Sequence, residues 1–425
     1  MNSQPDADAA PAIGDAALDS RLLATVRRVA DELRPQARLA AGLGLDHSLE
    51  RDYGLDSLAR VELIDRIGRE LGVSLGAAAL TDAETPRDLL QLIAAAPDRV
   101  ADAAVPPPAP AAAPPRPDTA ADADTPPDDL QTLVDVFEWH LQRHPQRVLI
   151  TLYEEGQAPA DLSYADLHRD AVALAAGLRA QGMGQGDAVA IMLPTGRDFF
   201  AAFFGTLQAG GVPVPLYPPA RPSQLEDHLR RIAGILRNAQ ARVFVTVERA
   251  KPLARLLQAQ AETLRSVSTV ADLSTPGTAA DALERPTLVA SDIAFLQYTS
   301  GSTGDPKGVV LTHANLLANL RAMWRASKIN SADTFVSWLP LYHDMGLIGA
   351  CLGGLYIGFH IVLMSPLAFL ARPANWLQAI HRHRGTVSAA PNFAYELCLA
   401  KLTDADLEGL DLSCWRLAFD GAEPV

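Results

Sequence analysis

The sequence predicts two folded units of different class: a small all-α bundle of three to four helices, then a doubly wound α/β part. Three observations carry this. The chain has 425 residues, more than one hydrophobic core usually supports. Residues 97–127 hold ten prolines and ten alanines in 31 positions. Such a segment has too little apolar bulk to bury and favours an extended, semi-rigid polyproline II spacer. Ahead of it apolar residues recur at helical spacing, and after it short apolar runs alternate with helical patterns. The expected divisions are a flexible N-terminus over 1–16, a helical unit over 17–96, a linker over 97–127 and the α/β unit over 128–425.

Taken in order, Leu18, Leu22, Val26, Ala30 and Leu33 fall on one face of a first helix. Leu58, Val61, Ile64, Ile67 and Leu71 make the face of a second, and residues 86–96 close the unit with Pro86 in the first turn. In the larger unit the strand candidates are 188–193, 212–216, 242–247, 293–298, 335–339, 360–364, 386–389 and 416–419. Helical patterns over 197–209, 224–238, 250–264 and 373–383 lie between them. Repeated strand–helix alternation is the signature of parallel sheets with helices on both faces. Residues 345–370 hold no charged side chain unless His360 is protonated, and the run is long enough for a membrane span. Gly346, Gly349, Gly353, Gly354 and Gly358 interrupt it, so the expectation is a buried helix, a turn at 356–360 and a short buried strand.

Composition excludes several classes of function. Hydrophobic residues make up 48% and charged residues 20%, which is globular rather than disordered or fibrous. The 36 basic against 50 acidic residues give a formal charge of −14, which repels phosphate backbones and argues against nucleic-acid binding. Cys351, Cys398 and Cys414 form neither a disulfide framework nor a zinc knuckle. The N-terminus lacks a signal layout, so a cytoplasmic location is expected. His140, His144, His168, His228, His381 and His383 have no metal-ligand spacing and are assigned no role.

The segment Asp52-Tyr-Gly-Leu-Asp-Ser-Leu-Ala-Arg-Val-Glu-Leu63 puts Ser57 at the start of the second amphipathic helix. Asp56 or Ser57 there can serve simply as an N-cap. The same position also favours a phosphodiester, because a helix N-terminus attracts negative charge. A short acidic helical unit, a Gly-Leu-Asp-Ser-Leu helix entry and a Pro/Ala tether together resemble an acyl carrier protein domain. That resemblance implies a 4′-phosphopantetheine arm on Ser57, attached by a phosphopantetheinyl transferase.

After the strand candidate at 293–298 comes Tyr298-Thr-Ser-Gly-Ser-Thr-Gly-Asp-Pro-Lys-Gly308. It is not a Walker A loop, since Pro306 precedes and Gly308 follows Lys307. Three glycines let backbone N–H groups approach an anion, Thr299, Ser300, Ser302 and Thr303 add hydroxyls, and Lys307 is one of four lysines in the chain. A Ser/Gly surface turn is the bland alternative. The segment resembles the phosphate loop of the adenylate-forming superfamily, which joins carboxylates to AMP. Trp338-Leu-Pro-Leu-Tyr-His-Asp-Met-Gly346 resembles the family motif bordering the acyl pocket, and Asp420-Gly-Ala-Glu-Pro424 resembles the turn packed on adenine. Val214-Pro-Leu-Tyr-Pro-Pro-Ala-Arg-Pro222, His343-Asp-Met-Gly-Leu-Ile348 and Ala390-Pro-Asn-Phe-Ala-Tyr395 are similar to the fatty acyl-AMP ligase branch.

The resemblance implies ATP phosphates held by Thr299, Ser300, Gly301, Ser302, Thr303, Gly304 and Lys307, and adenine held by Gly421, Ala422, Glu423 and Pro424. Lys307 and a magnesium ion would offset the repulsion between a fatty carboxylate and the α-phosphate. His343 would help place the carboxylate; a hydrogen-bonded histidine at a helix start is the alternative. The apolar runs 199–207 and 347–355 fit an acyl tunnel or ordinary core equally well. The family's further magnesium, ribose and catalytic-lysine segments would lie past Val425, so the chain reads as the front portion of a longer, truncated adenylate-forming domain, inactive in adenylation by itself. The expected partners are fatty acid, ATP and downstream acyl-accepting synthase or acyltransferase modules. The rival readings are a long-chain acyl-CoA synthetase and a non-catalytic carrier module with a vestigial nucleotide-binding domain.

Overall fold

The computed structural model describes residues 16–33, much of 42–95, and 125–421 apart from 155–156, 219–224, 275–285 and 300–306. In the segment 42–95, residues 50–51, 54, 56–62, 65, 68–69, 72, 74 and 76–82 are outside that set. Contacts divide the chain into two compact units, each taken by itself.

In the first unit the helices Ala16–Leu33 and Pro86–Ala95 flank helical residues at 63–64, 66–67 and 70–71. Leu22, Val26 and Ala30 bury their shared face against Ile64, Ile67, Leu89 and Ile93, with Leu18 and Leu71 at the rim. These are the positions that helical spacing selects; Leu58 and Val61 lie outside the described residues. Thr25 Oγ1 donates to Glu70 Oε2 at 2.6 Å, and Arg28 pairs with the same carboxylate, joining the first helix to the 70–71 turn.

The second unit holds three sheets. Strands β1 (Val148–Tyr153), β2 (Ala160–Ser163), β9 (Thr334–Ser337), β10 (His360–Met364), β11 (Val387–Ala390) and β12 (Leu417–Asp420) form a six-stranded sheet. Its order is β12-β11-β9-β10-β1-β2, parallel except at β1/β2. A second, fully parallel sheet runs β4-β3-β5-β6, with β3 (Ala188–Met192), β4 (Val212–Pro215), β5 (Val243–Thr246) and β6 (Ser266–Ser268). An antiparallel hairpin joins β7 (Ile293–Thr299) to β8 (Lys307–Thr312), and β7 runs beside β4.

All eight predicted strands are present, with ends shifted by one or two residues. Four went unread: β1, β2, β6 and β8. β2 and β6 are short and largely polar, and β8 begins inside the segment taken for the phosphate loop. The predicted helix 250–264 is shorter, a 3₁₀ turn at Glu248–Ala250 followed by Lys251–Gln258. Gln258 Nε2 ends it by donating to the carbonyls of Leu264 and Arg265, at 3.2 and 2.8 Å.

The uncharged run is a π-helix at Met345–Leu352, an α-helix at Gly353–Ile357 and then β10. Among the described residues no helix is long and apolar enough to cross a membrane. The run 199–207 is core: in the helix Arg197–Gln208 the rings of Phe199 and Phe203, and of Phe200 and Phe204, stack. Phe203 also meets Phe295 of β7 edge-on, centroids 5.8 Å apart.

One charged knot ties three strand starts together. Arg416 grips the Asp333 carboxylate with Nε at 3.1 Å and Nη2 at 2.6 Å, while Thr386 Oγ1 donates to Oδ1 at 2.7 Å. Asn330 N–H takes the remaining side of the carboxylate at 2.9 Å. These residues precede β9, β11 and β12, at the end of the sheet away from the candidate site.

Candidate functional site at the strand ends

The candidate segments follow the C-terminal ends of five strands. Leu216-Tyr217 follows β4, Thr299 ends β7, Trp338–Asp344 follows β9, Pro391-Asn392 follows β11 and Gly421 follows β12. In open α/β sheets the carboxyl ends of the strands are where ligands bind, because the loops there carry no sheet hydrogen bonds and can present side chains. Local folding alone would leave these segments scattered over some 200 residues; the packing of the two larger sheets and the β7/β8 hairpin gathers them.

Contacts between the segments are specific. Gln297 Nε2 donates to the Tyr342 carbonyl at 2.6 Å, linking β7 to the residue before His343. The rings of Tyr217 and Tyr342 lie 5.9 Å apart, and Arg231 from the helix Leu225–Asn238 stands 5.5 Å over Tyr217. Trp338 stacks on Phe369 at 4.0 Å and meets Phe393 edge-on at 6.1 Å. Gly421 N–H donates to Ala390 O at 3.3 Å, and a β-carbon at Gly421 would stand 3.7 Å from Met345 Cε. Leu216, Tyr217, Arg231, Gln297, Tyr342 and His343 surround a cavity of about 340 Å³.

Gly346 has a steric reason to be glycine, since a β-carbon there would lie 2.4 Å from the Pro340 carbonyl oxygen. The close approach lets the chain turn from Pro340 directly into the π-helix. Asp344 caps that helix, accepting from Met345 N–H at 2.7 Å. π-Helical turns are uncommon and concentrate at functional sites.

His343 Nδ1 and Asp344 Oδ1 are 2.8 Å apart, with both side chains about half exposed. The hydrogen bond to Asp344 pushes the imidazole pKa above its ordinary value, and the same bond pulls the carboxyl below its own. The charged pair is therefore lost as pH rises through the raised histidine pKa, or falls through the lowered aspartate pKa. His228 is different. Its Nε2 is buried without a partner beside the Tyr217 ring, and burial lowers its pKa to about 4, which keeps it neutral near pH 7.

Lys307 is exposed as the first residue of β8, and it pairs in register with Thr299 across the hairpin. Ser300, Gly301, Ser302, Thr303 and Gly304, the residues between, lie outside the described residues. So do Ser57, Ala422, Glu423, Pro424 and the end of the 214–222 segment. No described group of His, Cys, Asp and Glu residues is arranged to hold a metal ion. Sequence reasoning did not single out Gln297 or Arg231. A signal for Gln297 existed, as the one amide in the otherwise apolar run Ile-Ala-Phe-Leu-Gln of β7.

An α/β fold whose candidate segments lie at the carboxyl ends of its strands defines the class of open-sheet α/β proteins that carry ligand sites there. The chain belongs to the AMP-binding enzyme family, whose model matches residues 137–425, and the model for a phosphopantetheine attachment site matches residues 20–93. It is similar to the medium-chain-fatty-acid–[acyl-carrier-protein] ligase JamA of Moorena producens, 36% identical over 299 residues. That match covers 70% of this chain and 50% of the relative. The long-chain-fatty-acid–AMP ligase FadD26 of Mycobacterium marinum is 39% identical over 56% of this chain and 41% of its own. A solved fatty acyl-adenylate ligase of L. pneumophila, in complex with acyl adenylate and pyrophosphate, aligns with a TM-score of 0.63 and 35% identity. It covers 70% of this chain and 50% of that one. The chain thus spans about half the length of the relatives it matches.

Proposed function

We propose that the chain takes part in carrier-linked fatty acid activation: ATP-dependent formation of a fatty acyl-AMP, and transfer of the acyl group to a phosphopantetheine thiol. The observation that carries this reading is the gathering of the 338–346 and 390–395 segments with the ends of the phosphate loop and of β12 at one strand edge. The similarity to fatty acid–carrier and fatty acid–AMP ligases supports the choice of acid.

In this reading residues 299–304 and Lys307 hold the phosphates of ATP, which arrives as its magnesium complex, and 421–424 hold adenine. Lys307 offsets negative charge as the carboxylate approaches the α-phosphate. His343, kept cationic over a wider pH range by Asp344, orients the fatty carboxylate. In the small unit, read as a three- to four-helix carrier bundle over 17–96, Ser57 bears the 4′-phosphopantetheine. A phosphopantetheinyl transferase and downstream acyl-accepting modules are the proposed partners.

The test is direct binding to residues 1–425. A dodecanoyl-sulfamoyl adenosine should bind more tightly than any aminoacyl-sulfamoyl adenosine, and a tighter aminoacyl analogue would reverse the assignment. ATP affinity should fall about tenfold or more on Lys307→Ala, the scale of one charge-assisted contact worth about 1.5–3 kcal/mol. Equal ATP affinity in the folded variant would remove Lys307 from the phosphate site.

A further inference from the structure

The side chain of Gln297 is only 6% exposed, yet its two ends are used unequally. Nε2 donates to the Tyr342 carbonyl at 2.6 Å, while Oε1 is buried and meets no donor among the described residues. An unpaired buried acceptor costs about 1–3 kcal/mol, whereas an apolar side chain of the same shape costs nothing of that kind. Stability alone would therefore favour leucine or methionine at this position in β7. The amide also sits between two functional segments: two residues on, β7 reaches Thr299 and the phosphate loop, and its bonding partner immediately precedes His343. Tyr298 OH, next along the strand, donates to Asn238 Oδ1 at 2.5 Å and anchors β7 to the helix Leu225–Asn238.

We propose that Gln297 is a positioning residue that, through the Tyr342 carbonyl, sets where His343 stands relative to the phosphate loop. This rests on the reading of the strand edge as the ligand site, but its test does not depend on catalysis. Among the described residues the turn Tyr342–Asp344 is tied to β7 by this hydrogen bond from the side chain, and His343 and Asp344 are themselves solvent-exposed. Freed from Gln297, the turn can shift at its Tyr342–His343 end while Asp344 stays held by Met345 N–H at 2.7 Å, which would open the 2.8 Å contact between His343 and Asp344. The other ionisable groups around the cavity are Tyr217, Arg231, Tyr298 and Tyr342. None of them is a histidine, so none contributes to the ring signal read at His343.

The experiment uses residues 1–425 with ring-labelled histidine, His343 being assigned from the signal lost in His343→Gln. In the wild type His343 titrates above the ordinary histidine value. In Gln297→Met the midpoint should fall back toward that value, while the thermal midpoint moves by no more than a few degrees. A purely structural amide would give the opposite pattern, lost stability with the His343 titration unmoved, and that result overturns the proposal. Should Gln297→Met fail to fold, the wild-type carboxamide decides the matter: its N–H protons should exchange slowly with water, and exchange as fast as in a free glutamine refutes the contact. ATP titration separates the two readings. If ATP binds neither protein, the proposed function fails while the His343 comparison still judges Gln297; if it binds, Gln297→Met should weaken it severalfold, and equal affinity counts against the positioning role.

Discussion

Ser57→Ala should abolish the mass increase that a phosphopantetheinyl transferase and CoA produce on this chain, leaving no adduct at any other serine. The effect is all or none because the phosphodiester forms through one hydroxyl oxygen. Ser57 is singled out by its place after Gly54-Leu-Asp, where the sequence predicts a helix start; Leu63, Ile64 and Ile67, on the predicted face of that helix or beside it, are buried in the small unit. A helix entry aims several free N–H groups at a bound phosphate and adds the positive end of the macrodipole. Intact-mass measurement of both proteins is the check. An adduct that persists in the alanine variant would assign the attachment elsewhere and leave Ser57 as an ordinary N-cap.

The second large effect is on folding. Arg416→Met should destabilise the α/β unit by about 3 kcal/mol, the lower end of what breaking a buried ion pair costs. Asp333 is 7% exposed and Arg416 40%, so the loss falls mainly on the aspartate, which keeps its charge but loses both guanidinium hydrogen bonds. Asp333→Asn should cost less, because the amide stays neutral and Arg416 can turn to water. For a unit of this size the arginine change corresponds to a fall of roughly 5 °C in Tm. Thermal unfolding of the two variants settles the order. A Tm for Arg416→Met within a degree of wild type, or below-wild-type stability only for Asp333→Asn, would show that the knot does not hold β12. Among the described residues the strand is the edge of its sheet, with Phe419 exposed; besides the knot, its ladder to β11 and the Tyr395 hydroxyl donating to the Phe419 carbonyl at 2.9 Å hold it.

Much of the fold was legible because its signals are local. Runs such as Ala188–Met192 and His360–Met364 are apolar over a strand's length and bounded by turns, and buried parallel strands have that appearance. The helix Ala16–Leu33 advertises its buried face through Leu22, Val26 and Ala30. β2 and β6 were not legible, since neither carries enough apolar residues to be distinguished from loop. β6 exists only because β5 offers it a ladder. The Phe199–Leu207 run shows the same limit in reverse: composition allowed a tunnel or a core, and only the packing of Phe199 on Phe203 and of Phe203 on Phe295 decided for core.

The candidate site divides in the same way. The sequence by itself marked which segments are candidates for chemistry, because glycines, hydroxyls and a rare lysine at tight spacing have few other uses. It also marked Ser57, His343 and the Asp420-Gly421 segment as candidates. What it could not determine is how those segments meet. That Tyr342 is gripped by Gln297, that His343 stands against Asp344, and that Gly421 comes up to Met345 depend on contacts across 45 to 76 positions or on a turn forced by Gly346. Such contacts follow from how the sheets and the hairpin pack together, which is set by the whole core rather than by any local run, and so only the tertiary structure decided them.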